Sequence, residues 1–115
     1  INEGKKTEQS AEKRIEALKK LFEKDPRIEV EGYTGLTIDF AARHNAGFLL
    51  RGVRSMKDYE YEMNLADVNR KLSGIETVIL FSEPEWAYIS SSMVRELQHF
   101  GKDVTPFLPE GLIYP

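Results

Sequence analysis

The sequence predicts an α/β domain built around a parallel sheet. Helical and strand-like hydrophobic periods alternate along the chain in the order helix, strand, helix, strand, helix, strand, helix, which is the order of crossovers that feed parallel strands. The 115 residues are the length of one small domain, 1–115, with a modest core.

Each element has a local reason. After Ser10, which can cap a helix, Ile15, Leu18, Leu21 and Phe22 recur among charges, and the pattern stops at Asp25-Pro26. The run "RIEVEG" alternates Ile28 and Val30 with Glu29 and Glu31, as a strand with one exposed face does. Thr34-Gly35 turns into a short helix, "LTIDFAARH", closed by Asn45 and Gly47. "GFLL" is expected to be a buried strand ending at Arg51-Gly52, followed by a polar loop, "RSMKD". In "DYEYEMNLADVNRKL", Tyr61, Leu65, Val68 and Leu72 form one stripe of a long helix, at spacings of four, three and four. Ser73-Gly74 ends it, "ETVILF" is a third strand, "SEPEW" a loop, and a last helix runs from about Ser91 to Phe100 with Gly101 just past its end. Three strands are few for such a sheet, and the chain opens at Ile1 in a polar loop. Further strands are therefore expected upstream, making domain 1–115 N-terminally incomplete.

Composition narrows the function. Charged residues make up 30% of the chain and the net charge is -3, which argues against a grip on nucleic acid through bulk positive charge but leaves room for a compact anion site. There is no cysteine, so disulfides and thiolate metal sites are excluded and the cytoplasm is the expected compartment. No apolar run approaches the roughly 18 residues of a membrane span, and "INEGKKTEQSAEKR" has no hydrophobic signal core. Neither GxGxxG nor GxxxxGK[ST] occurs.

Ligands of open α/β sheets sit beyond the carboxyl ends of the strands. That rule selects Arg51, Gly52 and Arg54 after the second strand, Trp86 and Ser90 to Ser92 after the third, and Lys5 and Lys6 beside a strand upstream. Such a rim suits a polyphosphate, since arginine forks onto phosphate oxygens and lysine adds a mobile charge. Ion pairing of Arg51 and Arg54 with Asp58, Glu60 or Glu62 is the competing reading. The serines, likewise, either cap a helix or seat an anion at its positive end. His44 and His99 read as helix-end histidines, and Trp86 as a packing residue or a cover for an adenine ring.

Together, "RGVRSMKDYEYEMNLADVNRKL" and "EPEWAYISSSMVREL", with "INEGKK" and "GLTIDFA" upstream, resemble the bacterial phosphopantetheine adenylyltransferase family over essentially all 115 residues. The resemblance implies a Rossmann-like nucleotidyltransferase fold and adenylyl transfer from ATP to 4′-phosphopantetheine, giving dephospho-coenzyme A and pyrophosphate. It implies that Lys5, Arg51, Ser91 and Ser92 are the catalytic groups, and that Lys5, Leu36, Thr37 and Arg51 hold the acceptor. Gly52, Val53, Arg54, Glu62 and the run Trp86, Ala87, Tyr88, Ile89, Ser90, Ser91 and Ser92 would form the ATP site. Mg2+ would arrive on the ATP phosphates, with no protein metal ligands. Dephospho-coenzyme A or coenzyme A would be a further ligand, and a homo-oligomer, a hexamer by family habit, is implied. The family's N-terminal Gly-[ST]-Phe-Asp-Pro loop and Gly-His pair have no counterpart here, which implies weak or no turnover for these 115 residues by themselves. The readings beside it are another nucleotidyltransferase with a different phosphate acceptor and a non-catalytic nucleotide-binding fragment.

Overall fold

The computed structural model describes Ile1 and residues 10–113. The chain divides into two compact units, Leu36–Ser91 and Ile1–Gly35 with Ser92–Pro115.

In the unit that contains both chain ends, helix α1 runs from Ala11 to Leu21. The Ser10 hydroxyl accepts from the Lys13 amide at 3.3 Å, as its cap position predicts. Glu12 in the first turn and Lys19 and Lys20 in the last complement the helix dipole. The chain then turns at Asp25, whose carboxylate accepts from Nε and Nη2 of Arg27 at 2.8 and 2.7 Å. The expected strand over "RIEVEG" is not assigned; among the described residues of this segment Tyr33, just past it, is a bridge residue. The Tyr33 amide donates to the Ile1 carbonyl at 2.9 Å and the Ile1 amine to the Glu31 carbonyl at 2.6 Å.

Helix α4, Ser91–His99, ends as its glycine predicts. Gly101 takes φ +70, Lys102 N donates to Leu97 O and Gly101 N to Gln98 O, each at 2.9 Å, the paired bonds of a Schellman cap. Val94 and Val104 are buried in this unit, and a 3-10 turn covers Thr105–Phe107. Asp103 accepts from the Thr105 amide, and hydrogen bonds from Thr105 hold its carboxyl below the ordinary value.

The other unit carries the sheet. Helix α2, Thr37–Arg43, buries Ile38 and Ala41 and ends at Asn45, which takes φ +52. Ala46 N then donates to Ala41 O and Asn45 N to Ala42 O, so Asn45, and not Gly47, supplies the left-handed residue. Strand β1 is Phe48–Val53, helix α3 Met56–Ser73 and strand β2 Glu76–Phe81. β1 and β2 pair in parallel, from Phe48 opposite Glu76 to Val53 opposite Phe81, and α3 supplies the crossover that parallel pairing requires.

Three expectations change here. The described residues give a two-stranded sheet in place of three strands. β1 runs on through Arg51 and Gly52, which therefore lie within the strand and not beyond it; only Arg54 follows it. β1 is also largely exposed: Phe48 and Leu50, with Val78 and Leu80 of β2, sit at alternate positions whose side chains are open to solvent.

Helix α3 differs most from its pattern. Ser55 caps it, accepting from the Asp58 amide at 3.1 Å, so Met56 and Lys57 are helical and not loop. Gly74 closes it at φ +74. Its apolar stripe, Tyr61, Leu65, Val68 and Leu72, is exposed, while Tyr59, Glu62, Ala66 and Asn69, at spacings of three, four and three, are the more buried set. The Arg51 to Glu62 ion pair from β1 selects this polar face, and Tyr59 stacks on Phe81 of β2 with ring centroids 5.8 Å apart.

Candidate active site

The site begins with a charged residue placed inside a strand. Arg51, on β1, reaches α3, where its Nε and Nη2 donate to Oε2 and Oε1 of Glu62 at 2.9 and 2.7 Å. This is the planar two-bond fork that arginine makes with a carboxylate. Glu62 is 7% exposed, whereas the Arg51 side chain is 47% exposed. A buried anion therefore fixes one edge of a guanidinium that still reaches the surface. The ion-pairing reading of Arg51 holds, and it makes Glu62 a support for Arg51.

Arg51 and Glu62 line a recess of about 20 Å3 together with Thr37, Leu65, Asn69 and Thr77. The recess joins the start of α2, the sheet and one face of α3. Thr37 and Arg51, paired by sequence as acceptor-binding residues, thus come together. Leu36, the residue before α2, is exposed and caps it without a side-chain bond. Lys5 and Lys6 lie outside the described residues.

A second group forms after the strands. Arg54 follows β1, and its Nε lies 3.3 Å from Asp58 Oδ2, an exposed i,i+4 pair. Its Nη1 makes a long contact, 3.4 Å, with the Ile89 carbonyl, which places this cation beside the segment leading to Ser90 and Ser91. Residues 84–88 form turns, tied by Trp86 N to Glu83 O at 2.9 Å and Ile89 N to Trp86 O at 3.1 Å. Ser90 is the residue before α4, and Ser91 and Ser92 are its first two helical residues, with Ser92 assigned to the other unit.

Several candidate side chains differ in kind. Trp86 is 53% exposed and Tyr88 is exposed too, so Trp86 is not the core packing residue its size suggests. Val53 is 1% exposed, and its carbonyl accepts from Ser82 N at 2.8 Å; its side chain packs and presents nothing to a ligand. A β-carbon on Gly52 would meet nothing within 4 Å, so the strand surface there is open. Ala87 and Ile89 are half-buried. His44 caps α2 with its ring 4.5 Å from Phe40, and His99 ends α4 against Phe100, the helix-end positions expected of both. Among the described residues no group of three histidine or carboxylate side chains could hold a metal ion. Among them, too, no helix is long and apolar enough to cross a membrane.

Sequence reasoning missed Thr77 and Asn69. The signal was available: Thr77 is the one hydroxyl in "ETVILF", and Asn69 is seven residues, two helical turns, past Glu62.

The geometry offers two cation-bearing sites on one strand-helix unit, and comparison with known proteins gives the arrangement a family. A family model described as cytidylyltransferase-like matches residues 2–97. The phosphopantetheine adenylyltransferase of Phocaeicola vulgatus is 60% identical over 112 residues, 97% of this chain and 74% of that protein. Those of Bacteroides fragilis and Porphyromonas gingivalis are 52% and 50% identical, over 97% and 98% of this chain and 75% and 74% of theirs. The chain thus spans about three quarters of the length of these relatives. Identity at this level along nearly its whole length, with Arg51 and Arg54 set on a parallel βαβ unit, shows that the chain belongs to the phosphopantetheine adenylyltransferase family.

Proposed function

We propose that the protein transfers the adenylyl group of ATP to 4′-phosphopantetheine, forming dephospho-coenzyme A and pyrophosphate. A phosphate oxygen of the acceptor attacks the α-phosphorus, the bond from that phosphorus to the bridging oxygen breaks, and pyrophosphate leaves with the electron pair. The nucleophile is already an anion, so catalysis consists of aligning two polyanions and stabilising charge on the phosphoryl group.

The observation that carries this reading is the anchored guanidinium of Arg51. Held by Glu62 and bordering the recess shared with Thr37, it faces the acceptor's phosphate with its orientation already fixed. Lys5 adds a second cation to the acceptor, with Leu36 and Thr37 along its arm. Arg54, Gly52, Trp86, Tyr88 and the Ser90 to Ser92 run serve ATP, where the serines also begin α4, the end of a helix that favours negative charge. Mg2+ would come bound to the nucleotide, where it would neutralise charge on the phosphates. The reading places the protein in the cytoplasm with its ATP supply.

The same reading includes a homo-oligomer. Tyr61, Leu65, Val68 and Leu72 make a continuous apolar stripe at heptad spacing on the exposed side of α3, and such stripes are covered in assemblies.

The test is pyrophosphate release by the full-length protein with ATP, with and without 4′-phosphopantetheine. Release that requires the acceptor and yields dephospho-coenzyme A supports the reading. ATP binding with no release in either case refutes it in favour of a non-catalytic nucleotide-binding protein, and release with another phosphate acceptor alone refutes the substrate.

A further inference from the structure

The start of α3 carries an acid whose contacts helix capping does not explain. Ser55 fills the cap, its hydroxyl accepting from the Asp58 amide at 3.1 Å. In a capping box the acid three residues on would return to the amide of the capping serine. Asp58 passes over that amide: its Oδ2 lies 3.4 Å from the Arg54 amide and 3.3 Å from Arg54 Nε. One oxygen thus holds both the main chain and the side chain of Arg54. As a stabiliser the pair counts for little, since both side chains remain open to solvent. Its geometry is the informative part.

The second contact of Arg54 decides what its side chain still offers. Nη1 lies 3.4 Å from the Ile89 carbonyl, in the segment that leads to Ser90 and Ser91. With Nε turned to Asp58 and Nη1 to Ile89, the described residues leave both N–H groups of Nη2 without a partner. An arginine without such ties samples many rotamers, and fixing one of them weakens binding whenever a ligand is taken up. The same helix anchors the other arginine of the strand-helix unit. Asp58 holds Arg54 and Glu62 holds Arg51, two carboxylates four residues apart on one side of α3.

We propose that Asp58 is a positioning residue for ATP, which holds the Arg54 guanidinium so that Nη2 meets a phosphate oxygen. The inference rests on the reading given above that Arg54 serves the nucleotide. Asp58 is itself an anion beside a site for a polyanion, so its two possible effects have opposite signs. If it orients Arg54, removing its charge weakens ATP binding; if it chiefly repels phosphate, removing its charge tightens it. Orientation wins, because the carboxylate is matched by a cation at 3.3 Å and solvent screens it at longer range.

The experiment measures the Kd of ATP with Mg2+ by calorimetry, without acceptor, for the full-length protein and its Asp58→Asn, Arg54→Ala and doubly substituted variants. Asparagine keeps the shape of the side chain and removes its charge. For Asp58→Asn the Kd should rise roughly three- to tenfold, the worth of one side chain that must be ordered on binding. The KM for 4′-phosphopantetheine at saturating ATP should stay within about twofold of wild type, and the melting temperature close to it, as for an exposed pair. In the Arg54→Ala background the same substitution should leave the Kd unchanged or lower it, because Asp58 then has no arginine to orient and only its repulsion is lost. An unchanged or tighter Kd in Asp58→Asn overturns the proposal. So does an equal weakening with and without Arg54, which would mean that Asp58 acts by another route. Wild type that binds ATP yet forms no dephospho-coenzyme A would refute the proposed reaction, and the Kd values would still decide the role of Asp58. Wild type that binds no ATP overturns both.

Discussion

Replacing Glu62 with glutamine preserves the side chain's shape, removes its charge and leaves one oxygen where there were two. The structure allows the size of the effect to be bounded. Breaking one side of a fully buried ion pair costs about 3–5 kcal/mol, and an exposed pair contributes about 0–1 kcal/mol. Here Glu62 is 7% exposed and its partner's side chain 47%, so solvent screens one end of a pair joined by two short bonds. An intermediate cost of about 1–2 kcal/mol is expected, equivalent to a fall in Tm of roughly 4–10 °C for a domain of this size. Catalysis should suffer more, because Arg51 loses the fork that orients it: a fall in kcat/KM for the acceptor of about tenfold or more, with the KM for ATP within about twofold. Steady-state kinetics with each substrate varied in turn, together with thermal melts, make the measurement. The Arg51→Ala variant completes a double-mutant cycle, in which the two effects on kcat/KM should overlap and not add. If Glu62→Gln lowers Tm but leaves the acceptor kcat/KM at the wild-type value, Glu62 only stabilises the fold and the positioning argument fails.

Other outcomes follow from the same geometry. Arg51→Ala should lower kcat by roughly a hundredfold, since it removes a cation aimed at the reacting phosphate; unchanged constants would exclude Arg51 from the site. Ser91→Ala should raise the KM for ATP more than it lowers Tm, and the reverse would leave the serine as a helix-start residue alone. Gly74→Ala should destabilise by about 1 kcal/mol in urea melts, because Gly74 takes φ +74 while a β-carbon there meets nothing within 4 Å; a neutral result would contradict the cap. The side-chain bond from Arg27 holds the Asp25 carboxyl below its ordinary value of 3.8. A lowered carboxyl contributes stability that is complete above the unfolded value and lost as pH falls through the folded one, so Asp25→Asn should flatten the loss of stability below pH 3.8; an unchanged acid limb contradicts the pair's contribution. Val68→Glu, on the exposed stripe of α3, should lower the assembly size in sedimentation without lowering the monomer's helix content, and an unchanged size would remove that stripe from the interface.

The elements with local signals were legible in the residues. Ser10, Asn45, Gly74 and Gly101 mark helix ends by the chemistry of one side chain or its absence, and β2 matches its apolar run residue for residue. What failed depended on partners distant in sequence. "RIEVEG" has strand alternation, yet among the described residues the pairing found is that of Glu31 and Tyr33 with Ile1, and ladder formation requires a neighbour that the alternation itself cannot reveal. On α3 periodicity gives an apolar stripe but not what covers it; the Arg51 to Glu62 pair turns the face that carries Glu62 to the sheet. At the site, Arg51 and Thr37 border one recess, but the burial of the carboxylate that forks onto Arg51 is not legible, since a charge in a helix run "EYE" carries no mark of burial. Thr77 and Asn69 were overlooked for a similar reason: one polar atom in an apolar strand becomes meaningful only when a recess is seen to face it.

The central claim is that an arginine anchored on β1 presents charge to a phosphate acceptor that attacks ATP. The most direct measurement is pyrophosphate release by the full-length protein and its Arg51→Ala variant at saturating ATP, with 4′-phosphopantetheine titrated. The account predicts release that requires the acceptor and is nearly lost in the variant. Release that ignores the acceptor, or a variant as fast as wild type, would contradict it.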